Sequence, residues 1–523
     1  MGRLSCVPAG VAAALLLSCR DVAESRAADR HETRSPTAAP DGASLPPATW
    51  TPAKRSAADA IDRAADRFVA AGREIFALAE TALTETKSSA LLASLAESNG
   101  FKLERGVSQM PTAWIATWGT GKPVIGVLAE FDALPSLSQK AGVPAREPVI
   151  EGQPGHGCGH NLFGVAATAA AIALKEAMAA HSIPGTIRLF GTPAEEQGIG
   201  KIFMVRDGRF DDVDACLSWH PSYLNEVHMQ PTKACISFEV TFHGRSAHAS
   251  AAPWDGVSAL DAVEVFEHGV NLLREHMPET ARIHYVVTEG GRAPNVIPNR
   301  ARVWMYVRGK DWPEAEKVWA HVERCIAGAD VIAWGEEHGV AAADYRAPEV
   351  VRLSGLYELN INYRGSEVMQ RNFEMIGAAS YSAEEQTFAR ALQKAFGQPE
   401  SGYSTRVKPF DRDRPPEPGG STDVANVSWV TPTVELRVAT WPDRIPAHSW
   451  ASTAASGSSG AYRAMLVAAK VLAATGLDFL TDAGALAQMR SEFTESRRSF
   501  GYSPAVRPED RPALPSHMRS LHE

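Results

Sequence analysis

Cysteine is scarce: six residues in a chain of 523, too few and too scattered to form a disulfide framework. Cys6 and Cys19 fall in an N-terminal apolar segment, Cys216 and Cys235 in strand-like apolar runs, and Cys325 in a helical run. In such runs cysteine acts as a small buried hydrophobe. Only Cys158 has polar, glycine-rich neighbours. Positive charge is also short, with 52 Lys and Arg against 61 Asp and Glu and a net charge of -9. That balance excludes a nucleic-acid surface, which needs clustered cations to displace counterions from phosphate. There are no internal repeats. The apolar run VPAGVAAALLLSC, Val7 to Cys19, is too short to span a bilayer as a mature helix.

What remains is a globular composition long enough for two or three domains. The N-terminal residues 1–28 read as an export signal. LLSC, Leu16 to Cys19, resembles a bacterial lipobox, so Cys19 would be lipidated and the protein anchored to a membrane; cleavage near Ala27 or Ala28 is the rival and gives a soluble periplasmic protein. A misassigned start ahead of a cytoplasmic enzyme is the third reading. Residues 29–55, rich in Ala, Pro and Ser, are expected to be a disordered tether, and residues 499–523 a loose tail.

Between these ends, Ile61, Ala64, Phe68, Ala71, Ile75 and Leu78 recur at helical spacing. Strand and helix signals then alternate. VIGVLAEFDALP (Val124 to Pro135), TIRLFGTPAEEQG (Thr186 to Gly198) and DACLSWHP (Asp214 to Pro221) are strand-like, and FGVAATAAAIALKEAMAA (Phe163 to Ala180) is helical. This alternation predicts an α/β fold: a parallel sheet covered by helices. From Lys233 to about Asn360 the rhythm changes to that of a β-α-β-β-α-β insertion, an α+β sandwich. The α/β pattern resumes in YSAEEQTFARALQKAF, VSWVTPTVEL and the alanine-rich stretch Ala461 to Ala474. The expected domains are therefore a catalytic domain in two parts, 56–232 and 361–498, interrupted by an inserted domain at 233–360.

The polar residues are not spread evenly over this pattern. Asp132, Glu195, Glu196 and His220 fall at or just past the ends of strand-like runs, and GHGCGHNLFG, Gly155 to Gly164, immediately precedes a helix. Open α/β sheets bind ligands at that edge. Gly157 and Gly159 allow Cys158 and His160, two residues apart, to point at a common centre. GHGCGHN is not a phosphate loop, since it lacks both the Lys-Ser/Thr ending and the third glycine of the dinucleotide motif. At a strand end, the neighbouring carboxylates of Glu195 and Glu196 can take different tasks, one holding a metal and the other moving protons. Cys158, His160, Glu196, His220 and His448 together offer the number and mixture of ligands that two borderline-soft divalent ions would share.

In order along the chain, AEFDALP, GHGCGHN, TPAEEQG, SWHP, FHGRSAHASAAPWDG, GGRAPNVIP and PAHSW resemble the motifs of the metal-dependent amidohydrolases. That family includes p-aminobenzoyl-glutamate hydrolase, the indole-acetyl amino-acid hydrolases, hippurate hydrolase and N-acyl-amino-acid deacylases. The resemblance covers residues 56 to about 480. Asn161 and Glu130 stand where many relatives have Asp, which favours the p-aminobenzoyl-glutamate branch.

The resemblance implies two divalent ions, Mn2+ or Zn2+, bridged by the Cys158 thiolate and completed by His160, Glu196, His220 and His448. It implies Glu195 as general base and Asp132 orienting a ligand histidine. It also implies that the inserted domain forms a homodimer and acts as a lid, lending His248 to the facing subunit's site to stabilise the oxyanion. Asn295 would contact the substrate's carboxylate side, with Arg292, Arg300 and Arg308 as unranked candidates for the same work. The implied reaction is hydrolysis of the amide bond of a small N-acyl or aroyl amino acid, p-aminobenzoyl-glutamate or a similar conjugate; a dipeptidase or other N-acyl-amino-acid amidohydrolase of the same family is the alternative. Two rivals from other classes remain. A Cys158 nucleophile would leave two glutamates and the spare histidines unexplained, and a non-catalytic binding lipoprotein would have no use for the filled ligand set.

Overall fold

The computed structural model describes residues 47–335, 345–414, 419–498 and 500–519. The expected signal segment, with Cys19, and most of the expected tether lie outside them. The expected tether ends earlier than its composition indicated. Residues 52–63 already form a helix, because Pro52 suits a first helical turn and the Thr51 hydroxyl accepts the Lys54 N–H at 3.2 Å.

Eleven strands follow among the described residues: β1 (Lys102–Arg105), β2 (Trp114–Thr120), β3 (Val124–Ala129), β4 (Gly185–Gly191), β5 (Ala215–Ser222), β6 (Glu226–His228), β7 (Ala234–His243), β8 (Arg282–Glu289), β9 (Arg300–Gly309), β10 (Glu349–Leu356) and β11 (Thr433–Ala439). The first sheet has the order β1-β2-β4-β3-β5-β11-β6. Its centre, β4-β3-β5-β11, is parallel, as expected from the continuous apolar runs. The edges differ: β1, β2 and β6 pair antiparallel. Short edge segments such as Glu226–His228 carry too little apolar pattern to announce themselves.

Every residue of β3 is buried. The helices His160–His181 and Ser459–Thr481 pack on each other and on the parallel strands. Their alanines and Gly476, whose hydrogen faces Leu174, let the two backbones approach closely. Both helices are long and apolar enough to cross a membrane, yet 83% and 72% of their most apolar windows are buried inside the fold. Each fully buried Leu, Ile or Phe contributes about 1.5–3 kcal/mol.

The second sheet, β10-β7-β9-β8, is antiparallel throughout. With the helices Ala259–Leu273 and Trp312–Trp334 it has the expected β-α-β-β-α-β order. Strand β9 alternates buried and half-buried residues, the signature of a sheet with one helix-covered face. Phe238, Phe242, Phe266, Val303, Met305 and Val322 lie in the core between sheet and helices.

The C-terminal residues 500–519 are packed, contrary to the expected loose tail. Phe500, Tyr502 and Ala505 join Tyr357 and Trp429 in a small core. The Tyr357 hydroxyl donates to the Ser503 carbonyl at 2.9 Å. Further on, Ser516 donates through its backbone N–H and its hydroxyl to Glu239 on β7, at 2.9 and 2.6 Å. Few aromatics among many prolines and charges are enough, because the receiving surface is already built.

Candidate metal centre

Two local devices form the centre. The first is the glycine loop before the helix His160–His181. Gly159 stands at φ +77°, in the left-handed region that glycine adopts freely, so Cys158 and His160 emerge on either side of a sharp turn. A side chain at Gly157 would come within 2.6 Å of Leu137 Cδ1 and 3.4 Å of the His448 Cα. That close approach ties in the distant AHSW segment: the Gly157 carbonyl accepts the His448 N–H at 3.0 Å and the Ser452 hydroxyl at 2.7 Å. His448 itself takes φ +59°, a left-handed conformation that costs a non-glycine residue roughly 1–2 kcal/mol.

The second device follows β4. Ala194 is also left-handed, at φ +58°, and leads into a single tight turn, Glu195–Gln197. The Ala194 N–H is held at 2.8 Å by the buried Glu85 carboxylate. The Glu196 N–H is held at 2.9 Å by Asp132 Oδ2. Fixed in this way, the two glutamates reach different neighbours.

The structure brings Cys158, His160, Glu196, His220 and His448 together as two triads that share the thiol. The donor atoms of Cys158, His160 and His220 all lie within 4.8 Å of one another, and so do those of Cys158, Glu196 and His448. Cys158 Sγ is 3.4 Å from His220 Nε2, and Glu196 Oε2 is 3.4 Å from His448 Nε2. His160 donates through Nδ1 to Asp132 Oδ1 at 2.9 Å, which leaves its Nε2 facing the cluster. Glu195 Oε2 is 3.9 Å from that nitrogen.

Burial dominates the electrostatics. It pushes the Cys158 thiol well above its usual range, with the nearby Glu196 charge adding to the effect. It raises Glu195 well above the normal carboxyl value, reinforced by Glu130, Asp423 and Glu196, and lifts Glu196 to about 8. His220 is held down to about 3 by burial and by the positive charges of His160 and Arg437. Such crowding of carboxyls around few cations is costly in a low-dielectric interior unless further positive charge is supplied. Two buried atoms among the candidate ligands, His160 Nε2 and Glu196 Oε1, have no hydrogen-bond partner. Residues with borderline-soft donors, orphaned atoms and surplus negative charge fit divalent ions.

Several contributors escape the sequence reading. Glu130, noted only as an unusual residue, lies 3.2 Å from His160 Nε2 and 2.7 Å from Lys201 Nζ. Lys201 is fully buried and also binds Asp423 Oδ1 at 2.6 Å. A lone lysine inside the apolar run GIGKIFMV was the available signal for it, because a buried ammonium must be paired. Asp423 offers no comparable signal.

The inserted-domain residues are placed differently. His248 is exposed, and its Nδ1 accepts the N–H groups of Ser250 and Ala251 at 3.2 and 3.1 Å. Among the described residues, no hydrogen bond or ion pair joins it to the cluster of its own chain. Asn295 and Arg292 are exposed on the loop before β9, Arg300 pairs with Glu289 at 3.4 Å, and Arg308 donates to the Ser421 hydroxyl at 2.8 Å.

A parallel-centred α/β sheet whose strand ends and helix start converge on paired Cys/His/Glu triads defines a metal-dependent hydrolase. Residues 126–442 match Peptidase family M20/M25/M40, and the chain belongs to that family. It is 35% identical over 460 residues to one of the subunits of p-aminobenzoyl-glutamate hydrolase of Escherichia coli (strain K12), covering 83% of this chain and 93% of that one. It is 29% identical over 455 residues to Xaa-Arg dipeptidase of Mus musculus, covering 84% and 92%. Its fold is similar to that of an aminobenzoyl-glutamate utilization protein from Klebsiella pneumoniae, with a TM-score of 0.54 at 18% identity, covering 82% of this chain and 99% of that one. The chain is accordingly a hydrolase that acts on amide bonds.

Proposed function

We propose that this protein hydrolyses the amide bond of small N-acyl or aroyl amino acids, with p-aminobenzoyl-glutamate or a close analogue as substrate. The observation that carries the reading is the pair of triads sharing Cys158, with Glu195 beside them in a third group with Glu130 and His160. Cys158, His160, Glu196, His220 and His448 would hold two divalent ions, manganese or zinc; the Cys158 sulfur belongs to both triads. When bound, such ions act as Lewis acids and bring the pKa of water toward neutrality.

The chain's own residues supply the rest. Asp132 fixes the His160 ring through Nδ1 and the Glu196 backbone through its other oxygen, so one carboxylate orients two ligands. Glu195, whose Oε2 lies 3.9 Å from His160 Nε2, is placed to take a proton from water and deliver it to the departing amine. His248 would complete the site of a second copy and stabilise the oxyanion, with the inserted domains forming a homodimer; its exposed position on the inserted domain supports that reading. Asn295 would meet the carboxylate side of the substrate.

For location we propose export, with Cys19 as a lipid anchor. Membrane fractionation of wild type and Cys19→Ser tests this: release of the variant supports it, and a soluble wild type starting near Asp29 contradicts it.

The reaction is tested by apo protein reloaded separately with manganese and zinc and assayed on a panel of N-acyl amino acids, p-aminobenzoyl-glutamate included. Cleavage to free amino acid supports the proposal. No cleavage by protein carrying two ions contradicts it.

A further inference from the structure

Beside the candidate centre, the polar face of β11 carries a charge cluster with no part in the reaction just described. Residues paired in register on neighbouring strands point to the same face. Arg437 on β11 pairs with His220 on β5 and with Glu226 on β6, so its side chain leaves the sheet next to a candidate ligand. Arg437 Nη2 donates to His228 at 3.2 Å, and the guanidinium lies 3.7 Å from Glu435 and 4.0 Å from Glu226. Glu226 also meets Arg414 at 2.8 Å and Lys408 at 3.3 Å.

Exposure sorts these groups by sign. The side chains of Glu226 and Glu435 are each 7% exposed, whereas those of Arg414, Arg437 and Lys408 are 25%, 32% and 40% exposed. The carboxylates therefore stand behind and the cations in front. Burial raises the Glu435 carboxyl above its usual range, opposed by the Arg437 charge beside it.

We propose that Arg437 is a specificity-determining residue that receives the side-chain carboxylate of a dicarboxylic amino-acid conjugate bound at the metal centre. The inference rests on the proposed amide hydrolysis and deepens it. Two relatives bear names that point to opposite charge at the amino-acid end, aminobenzoyl-glutamate and Xaa-Arg. A cluster with its cations forward selects the acidic one. An arginine is suited to the task because its fork matches a carboxylate in two parallel hydrogen bonds, which Lys cannot reproduce.

The test compares p-aminobenzoyl-glutamate with p-aminobenzoyl-glutamine, which has the same shape without the second charge. Steady-state kinetics with wild type, Arg437→Met and Arg437→Lys are paired with calorimetric binding in the Glu195→Gln background. The expected result is a fall of about 10- to 100-fold in the glutamate-to-glutamine ratio of kcat/KM for Arg437→Met. The fall should come mainly through KM, be mirrored in Kd, and be partly restored by Lys. Equal losses on both conjugates would assign Arg437 a structural role only and overturn the inference, as would a wild-type preference for the glutamine conjugate or for a C-terminal arginine. If wild type binds the glutamate conjugate in an Arg437-dependent way yet cleaves neither, the proposed reaction falls and the carboxylate site stands. If it neither binds nor cleaves, both fall.

Discussion

Asp132 and His160 meet through a 2.9 Å hydrogen bond from ring Nδ1 to Oδ1, and both side chains are buried. The bond holds the ring by Nδ1 and leaves Nε2 on the side of the cluster, 3.2 Å from Glu130 Oε2 and 3.9 Å from Glu195 Oε2. The same carboxylate holds the Glu196 backbone. Asp132→Ala is therefore expected to lower metal affinity by about 10- to 100-fold, read by chelator competition followed with metal analysis. Unchanged affinity in a folded variant would show that the ring is held by other means.

Removal of residues 500–523 should lower the stability of the whole protein. Phe500 and Tyr502 cover Tyr357 and Trp429, and Ser516 satisfies Glu239 on the second sheet. Uncovering a large aromatic core residue costs on the order of 3 kcal/mol. A clear drop in Tm is the expected outcome; a Tm equal to that of the full chain would restore the expectation of a loose tail.

His248 is expected to act in trans. Glu195→Gln and His248→Ala variants, each inactive alone, should regain activity when mixed and allowed to exchange subunits. The recovery should approach about a quarter of wild type at statistical exchange of equal amounts, because half the dimers are mixed and each mixed dimer has one complete site. No recovery despite demonstrated exchange would confine His248 to a structural role, such as the turn it caps with Ser250 and Ala251.

The site was legible in the sequence where it is encoded locally, and at the distant His220 and His448 through the short motifs SWHP and PAHSW that carry the family resemblance. Cys158, Gly159 and His160 lie within three residues, and the glycine needed for their turn is visible beside them. Glu195 and Glu196 follow a strand signal and precede a glycine. The alternating rhythm that predicts the parallel centre, and its change to the antiparallel insertion, are likewise written in short windows. The lone lysine in GIGKIFMV signals a buried Lys201, but its pairing with Asp423 was not legible, because that contact joins positions 222 residues apart. No periodicity encodes a contact that only the completed sheet creates. Arg437 was hidden for the same reason: it reads as one polar residue in a strand, and its meaning comes from the register with His220 on another strand.

The shared thiol is the central claim, and metal analysis of two purified variants tests it most directly. Cys158→Ala should lose bound metal together with activity, since it removes the donor common to both triads. Glu195→Gln should keep both ions while losing roughly 10²- to 10⁴-fold or more in rate, because it removes only the proton-transfer group. Full metal content in Cys158→Ala, or loss of the ions from Glu195→Gln, would contradict the assignment.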